Sequence, residues 1–277
     1  MNKFKDETAV IVITCNREGF FKNLVSSIDR SAVGKIYVVN AGDRYSEYPD
    51  DVEIITPKRN PTVVGIAKNL GLRRAKKDGF KYLFLVEDDV VIKDNKVWEE
   101  YILTAADSGL WTAQLSYGAH GGIGGGNVNT DGTPKKRMTL KYTNKEVDLY
   151  LYSFQAFTLI HADHLTDNVY FREIYSNAAE HLDQHQTIFL KEHKGLPIMW
   201  HPDICNSFLY ISDQDSDHAS SVIRKSADFI KNFNDAWGIF KEKFGYYPQE
   251  SPKFSAENVH SMLEDIEGNY AQKELLQ

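Results

Sequence analysis

The chain has 277 residues, of which 42% are hydrophobic, 12% aromatic and 26% charged. That length and composition exclude a disordered or fibrous chain and predict a folded globular unit with a full core and no internal linker. A formal net charge of −7 excludes a surface that binds nucleic acid over its whole extent, though it leaves room for a local basic patch.

Ala9 to Ile13 is the first apolar run, and Asn16-Arg17-Glu18 follows it at once. It is too short for a membrane span or a signal-peptide core, so a soluble, cytoplasmic protein without a membrane partner is expected. Cys15 and Cys205, each in or beside an apolar segment, are expected to be buried reduced thiols. Ala9 to Thr14 reads as a buried strand. Phe20, Phe21, Leu24, Val25 and Ile28 then recur at helical spacing between Glu18 and Asp29. Lys35 to Val39 and Val52 to Ile55 are the second and third strands. Ile66, Ala67, Leu70 and Ala75 predict one face of a helix, with Lys68, Arg73, Arg74, Lys76 and Lys77 on the other and a stop at Gly79. Tyr82 to Val86 is the fourth strand, and Glu87-Asp88-Asp89 follows it directly.

This alternation predicts an α/β fold with a mixed, mostly parallel sheet flanked by helices and a helical C-terminal part. Residues 1–118 form the regular α/β half, 119–220 the rest of the same domain, and 221–277 a helical extension. Trp111 to Tyr117 reads as a strand running into the glycine-rich Gly118–Gly126 loop, which is a hinge or a close-approach surface. A basic segment (Lys135, Lys136, Arg137, Lys141), an apolar stretch from Leu149 to Ile160 and a helical stretch from Asn177 to His193 come next. Ser221 to Phe244 and Ala256 to Leu276 read as helices, with Phe229, Ile230, Phe233, Trp237 and Phe240 as core packing.

Glu87-Asp88-Asp89 is the sharpest chemical signal. Ligand sites in such folds lie at the carboxyl ends of the strands, and three adjacent acids there need a compensating cation or donors. Oxygen ligands point to Mg²⁺ or Mn²⁺, which shares its shell with water and substrate phosphates.

Val10-Ile-Val-Ile-Thr-Cys-Asn-Arg17, Val38-Val-Asn-Ala-Gly-Asp43, Ala67-Lys-Asn69 and Val86-Glu-Asp-Asp89 stand in the order seen in GT-A glycosyltransferases, and the chain resembles that family. Within it, the Cys-Asn-Arg and Glu-Asp-Asp motifs, with His201-Pro-Asp-Ile204, are most similar to the N-acetylglucosaminyltransferase I type. The resemblance implies a nucleotide-sugar donor, with Mn²⁺ or Mg²⁺ as cofactor. It implies Asp89 as direct metal ligand, Glu87 facing the ribose or the metal's waters, and Asp88 orienting the site or the sugar. Thr14 and Arg17 fall at the donor site, with Arg17 suited to phosphate or the base edge. Asp43 would accept from the imide N–H of uracil. Asn69 stands where the N-acetylglucosaminyltransferase I type has a His, so its base contact departs from that pattern. An inverting transferase also needs a carboxylate to take the acceptor's proton, and Asp183, with Glu180 as the alternative, is expected to supply it. His218 is the candidate for an additional metal ligand.

The acceptor is expected to be a glycan, a small molecule or a modified DNA. In the last case Lys135, Lys136, Arg137 and Lys141 would contact phosphates next to a hydroxymethylated base. A nucleotidyltransferase would carry a Gly-rich signature after the first strand, where this chain has Thr14-Cys-Asn-Arg17. A non-catalytic sugar-binding module would have no use for Arg17 and the acidic triplet together.

Overall fold

A computed structural model describes residues 2–58, 63–114, 136–150, 156–175, 180–192, 198–200, 208–210, 225–247 and 273–276. The first half contains β1 (Thr8–Thr14), α1 (Glu18–Ser27), β2 (Lys35–Asn40), β3 (Val52–Ile55), α2 (Val64–Lys77), β4 (Tyr82–Glu87), β5 (Val90–Ile92) and α3 (Val97–Ser108). β6 (Thr112–Gln114), β7 (Lys136–Thr139), β8 (Glu146–Tyr150), β9 (Phe157–His161), α4 (Glu180–Thr187), β10 (Ile198–Trp200), β11 (Phe208–Tyr210) and α5 (Ala227–Phe244) follow. The central sheet has the order β3-β2-β1-β4-β9-β6. β1 to β4 run parallel, and β9 is antiparallel to both β4 and β6. The expected mixed, mostly parallel sheet is therefore present.

Every residue of β1 is buried, because both faces of the sheet are covered. Val10, Val12, Phe84 and Val86 face one core with Phe21, Leu24, Trp98 and Tyr101. Ile11, Ile13, Leu83 and Leu85 face the other with Ala67, Leu72 and Ala75 of α2. A Cβ at Gly71 would collide with Ile11 Cγ2, so the glycine lets α2 settle close on β1. This corrects the expected place of Lys68 on the polar face of α2, whereas Arg73, Arg74, Lys76 and Lys77 are exposed as expected. Lys68, Gly71, Leu72 and Ala75 share the buried face, and Lys68 is only 1% exposed. Cys15 is exposed, not buried as expected. On α5, Phe240 is buried but Ile230 is half exposed, so the aromatic stretch is only partly core.

β5 pairs antiparallel with β11, and β10-β8-β7 form a small separate sheet. Asp107 of α3 accepts from the Tyr142 and Thr143 N–H groups, which pins the β7–β8 turn. No helix among the described residues is long and apolar enough to cross a membrane. The Gly118–Gly126 loop, Lys135, His201-Pro-Asp-Ile204, Cys205 and His218 lie outside the described residues, as does most of the expected helix from Ala256 to Leu276.

Candidate functional site

Parallel pairing brings the carboxyl ends of β1, β2 and β4 to one rim. Thr14 is in register with Asn40, Ile13 is in register with Glu87, and Asp88 N–H donates to Ile13 O at 3.1 Å. Asn16 then adopts φ +56°, a left-handed conformation that Asn tolerates better than most side chains. Its Oδ1 accepts from Asp43 N–H at 2.6 Å, which ties the ends of β1 and β2 together. A Cβ at Gly42 would strike this Asn16 side chain, so the close approach depends on the glycine. Asp43 is exposed at the rim. Beside it opens a cleft of about 290 Å³ lined by Asn40, Arg44, Tyr48, Ile55 and Pro57.

The turn at Asn16 brings Arg17 over the acidic residues. Its guanidinium forks between Asp88 Oδ1 and Asp89 Oδ2, the latter at 3.2 Å. Thr14 Oγ1 donates to Asp88 Oδ2 at 2.6 Å. The Tyr45 hydroxyl makes a short hydrogen bond to Thr14 Oγ1 and accepts from Arg17 N–H at 3.0 Å. Because the Thr14 proton goes to Asp88, Tyr45 is the donor in that short bond. Tyr45 is buried, and no residue pattern in the sequence singled it out.

Both carboxylates are almost fully buried, at 1% exposure for Asp88 and 4% for Asp89. Burial pushes the Asp88 carboxyl up to about 6, although Arg17 and Thr14 pull against it. Asp89 is pushed up to about 7, by burial first and the charge of Glu87 second. Asp89 Oδ1 is buried and has no hydrogen-bond partner among the described residues. An unpartnered buried carboxylate oxygen beside further acids suits a hard divalent cation. Among the described residues no three His, Cys, Asp or Glu side chains converge to hold such an ion unaided. A cation here would complete its shell with water and ligand oxygens, as Mg²⁺ and Mn²⁺ sites at phosphates do.

The N-terminal turns of α2 and α4 meet behind this rim. Lys68 Nζ lies 3.2 Å from Glu87 Oε1 and 3.4 Å from Glu180 Oε1. Burial opposes charging of Lys68, yet Glu87 and Glu180 outweigh it and hold its pKa above the ordinary lysine value. Burial likewise works to raise Glu180, and Lys68 followed by His181 brings it below the usual carboxylate range.

Asp183, one turn on, belongs to a different cluster. It accepts from Tyr175 OH at 2.8 Å and Lys243 Nζ at 2.6 Å, and Arg172 Nη1 stands 3.7 Å away. These contacts fasten α5 to α4. Asn69 is fully buried, and its amide bonds both backbone groups of Phe171 at 2.8 and 2.9 Å and Glu173 Oε1 at 2.9 Å. The fold thus gathers Thr14, Arg17, Glu87, Asp88, Asp89 and Glu180 at one place, with Asp43 at its rim, and turns Asn69 and Asp183 to other partners. Lys68 is not legible as a site residue in the sequence, because it stands among Arg73, Arg74, Lys76 and Lys77 on what reads as a solvated helix face.

This mixed, mostly parallel α/β sheet flanked by helices is similar in fold to solved glycosyltransferase structures. Staphylococcus aureus TarS residues 1–349 superimposes with TM-score 0.53 at 15% identity, covering 97% of this chain and 82% of that one. A mannosyltransferase from Pyrobaculum calidifontis in complex with GDP-Man and Mn²⁺ gives 0.54 at 11% identity, covering 94% and 69%. TarS 1–349 in complex with UDP-GlcNAc gives 0.50 at 15% identity, covering 97% and 82%. No protein-family model matches the chain, and no curated protein matches it by sequence.

Proposed function

We propose that this chain is a metal-dependent glycosyltransferase that moves a sugar from a nucleotide-sugar donor, most simply a UDP-sugar, to an acceptor hydroxyl with inversion. The observation that carries this reading is the unpartnered, buried Asp89 Oδ1 at an acidic strand end. Support comes from the shared fold, since one similar structure holds UDP-GlcNAc and another GDP-Man with Mn²⁺. Within the fold, the Cys15-Asn16-Arg17 and Glu87-Asp88-Asp89 motifs favour the N-acetylglucosaminyltransferase I type.

A divalent cation held by Asp89 would neutralise the donor diphosphate and ease its departure. Arg17 orients Asp88 and Asp89 and adds fixed positive charge beside the phosphates. Glu87 faces the ribose or the metal's waters, and Asp43 selects the base from beside the 290 Å³ cleft. The acceptor oxygen attacks the anomeric carbon as the bond to the diphosphate breaks, the electron pair leaving with the nucleoside diphosphate. The acceptor's proton goes to a carboxylate of α4. Glu180 is favoured for this role because it lies near the acidic rim through Lys68, whereas Asp183 is occupied by Tyr175 and Lys243.

A second reading of the acceptor, hydroxymethylated DNA, draws on Lys136 and Arg137 of β7 and on the exposed Lys141 in the turn after it. Thermal shift against a panel of UDP- and GDP-sugars, with Mn²⁺ and with chelator, tests the proposal. A donor that stabilises the protein only with metal supports it, because a ligand bound to the folded state alone raises stability. No metal-dependent shift with any donor contradicts it.

A further inference from the structure

We propose that Lys68 is a positioning residue, whose buried ammonium clamps the first turn of α4 to the acidic end of β4 and so sets the spacing between the donor rim and the second half of the site. Glu87 belongs to the strand end and is 32% exposed by side chain, while Glu180 belongs to α4 and is 5% exposed. Two carboxylates from separate segments repel each other, and the Lys68 ammonium between them turns that repulsion into a bridge. The neighbouring geometry gives the clamp a fixed seat. Lys68 stands over the Phe171 ring at 5.0 Å, and Asn69 bonds both backbone groups of Phe171. A Cβ at Gly65 would lie 3.6 Å from Glu180 Cβ, so α2 and α4 are in near contact at this point. The Lys68–Glu180 pair and the close approach at Gly65 thus hold α4 to α2, while the Asn69 bonds hold the Phe171 segment beneath the Lys68 side chain. A displacement of about 1 Å in a catalytic carboxylate can lower a rate about 100-fold, so a group that fixes the alignment matters even if it never touches substrate.

The kinetic part of this inference rests on the transferase reading, and the structural part does not. Hydrogen exchange on the full chain, read by mass spectrometry, tests the structural part. Lys68→Met is expected to raise exchange over residues 180–192 about tenfold or more and to leave β1 and β2 unchanged, with Lys68→Arg restoring most of the protection. Should Lys68→Met fail to fold, Glu180→Gln removes the other end of the clamp and is expected to loosen the same segment. Wild-type protection over 180–192 in whichever of these variants folds overturns the proposal. Turnover of UDP-GlcNAc or GDP-Man with Mn²⁺ reads the kinetic part. Lys68→Met is expected to lower kcat about 30-fold with KM within about threefold, and the double variant K68M/E180Q to be no slower than E180Q. Losses that multiply in the double variant overturn it. A wild-type protein inert toward every donor refutes the transferase reading and leaves the exchange result to decide the role of Lys68.

Discussion

Replacing Asp89 by Asn should stabilise the metal-free protein at alkaline pH and at the same time abolish its response to metal. The carboxyl is held at about 7, where an ordinary aspartate sits near 3.8. Each pKa unit corresponds to about 1.4 kcal/mol, so the charged form above neutrality is disfavoured by on the order of 4 kcal/mol. Asparagine keeps the shape and removes the charge, but it gives up the charge-assisted bond from Arg17 at 3.2 Å. The pull of Arg17 is already contained in the raised value, so the gain stays on the order of 4 kcal/mol, or roughly a 10 °C rise in Tm. The sign with pH follows from proton linkage. A carboxyl with a raised folded-state pKa binds its proton more tightly folded than unfolded, so its stabilising contribution is present at low pH and is lost as pH rises through about 7. The advantage of Asp89→Asn should therefore be greatest at about pH 8, smaller at about pH 5 and gone below about pH 4, where the carboxyl is protonated folded and unfolded alike. Melting curves of both proteins in chelator across that range, then with millimolar Mn²⁺, make the comparison. A variant less stable than wild type at the alkaline end, an advantage that ignores pH, or a retained Mn²⁺ shift would refute the reasoning.

Other substitutions separate the remaining roles. Glu180→Gln should keep metal-dependent donor binding and lower turnover about 100-fold or more, the scale of a lost general base. Asp183→Asn should cost about 1–3 kcal/mol by leaving Lys243 and Tyr175 poorly paired; a large loss of turnover with unchanged Tm would instead return the base to Asp183. Tyr45→Phe removes the hydroxyl that supports Thr14 and Arg17 N–H, and calorimetry should find Mn²⁺ affinity lowered several-fold at a stability cost of about 1 kcal/mol. Gly71→Ala should destabilise the chain by about 1–3 kcal/mol in chemical denaturation, because the added methyl meets Ile11. If hydroxymethylated DNA is the acceptor, gel-shift binding should weaken with salt and on replacing Lys136, Arg137 and Lys141 together, whereas salt-independent binding or none removes that reading.

The parallel half of the sheet was readable because β1, β2 and β4 are continuous apolar runs bounded by polar turns, the pattern that burial on both faces requires. β9 was less so. It lies at the end of the apolar stretch from Leu149 to Ile160, and nothing local in Phe157–His161 reveals that it inserts antiparallel between β4 and β6. The acidic triplet could be found from its position after a strand. Its compensation could not, because Arg17, Thr14 and Tyr45 converge on it from distant parts of the chain. Lys68 shows the same limit from the other side. A lysine in a helix reads as a solvated residue until the two carboxylates that neutralise it are brought together by the fold. Glu180 and Asp183 stand three apart on one helix, as their spacing predicts, and only their separate neighbours distinguish them.

Release of nucleoside diphosphate from UDP-GlcNAc, GDP-Man and related donors, with Mn²⁺ or with chelator, puts metal-dependent sugar transfer to the most direct test. Wild type should release nucleoside diphosphate from at least one donor only in the presence of metal, and Asp89→Asn should release none. Release that persists in chelator or in Asp89→Asn, or no release from any donor, would contradict a metal-assisted transferase centred on Asp89.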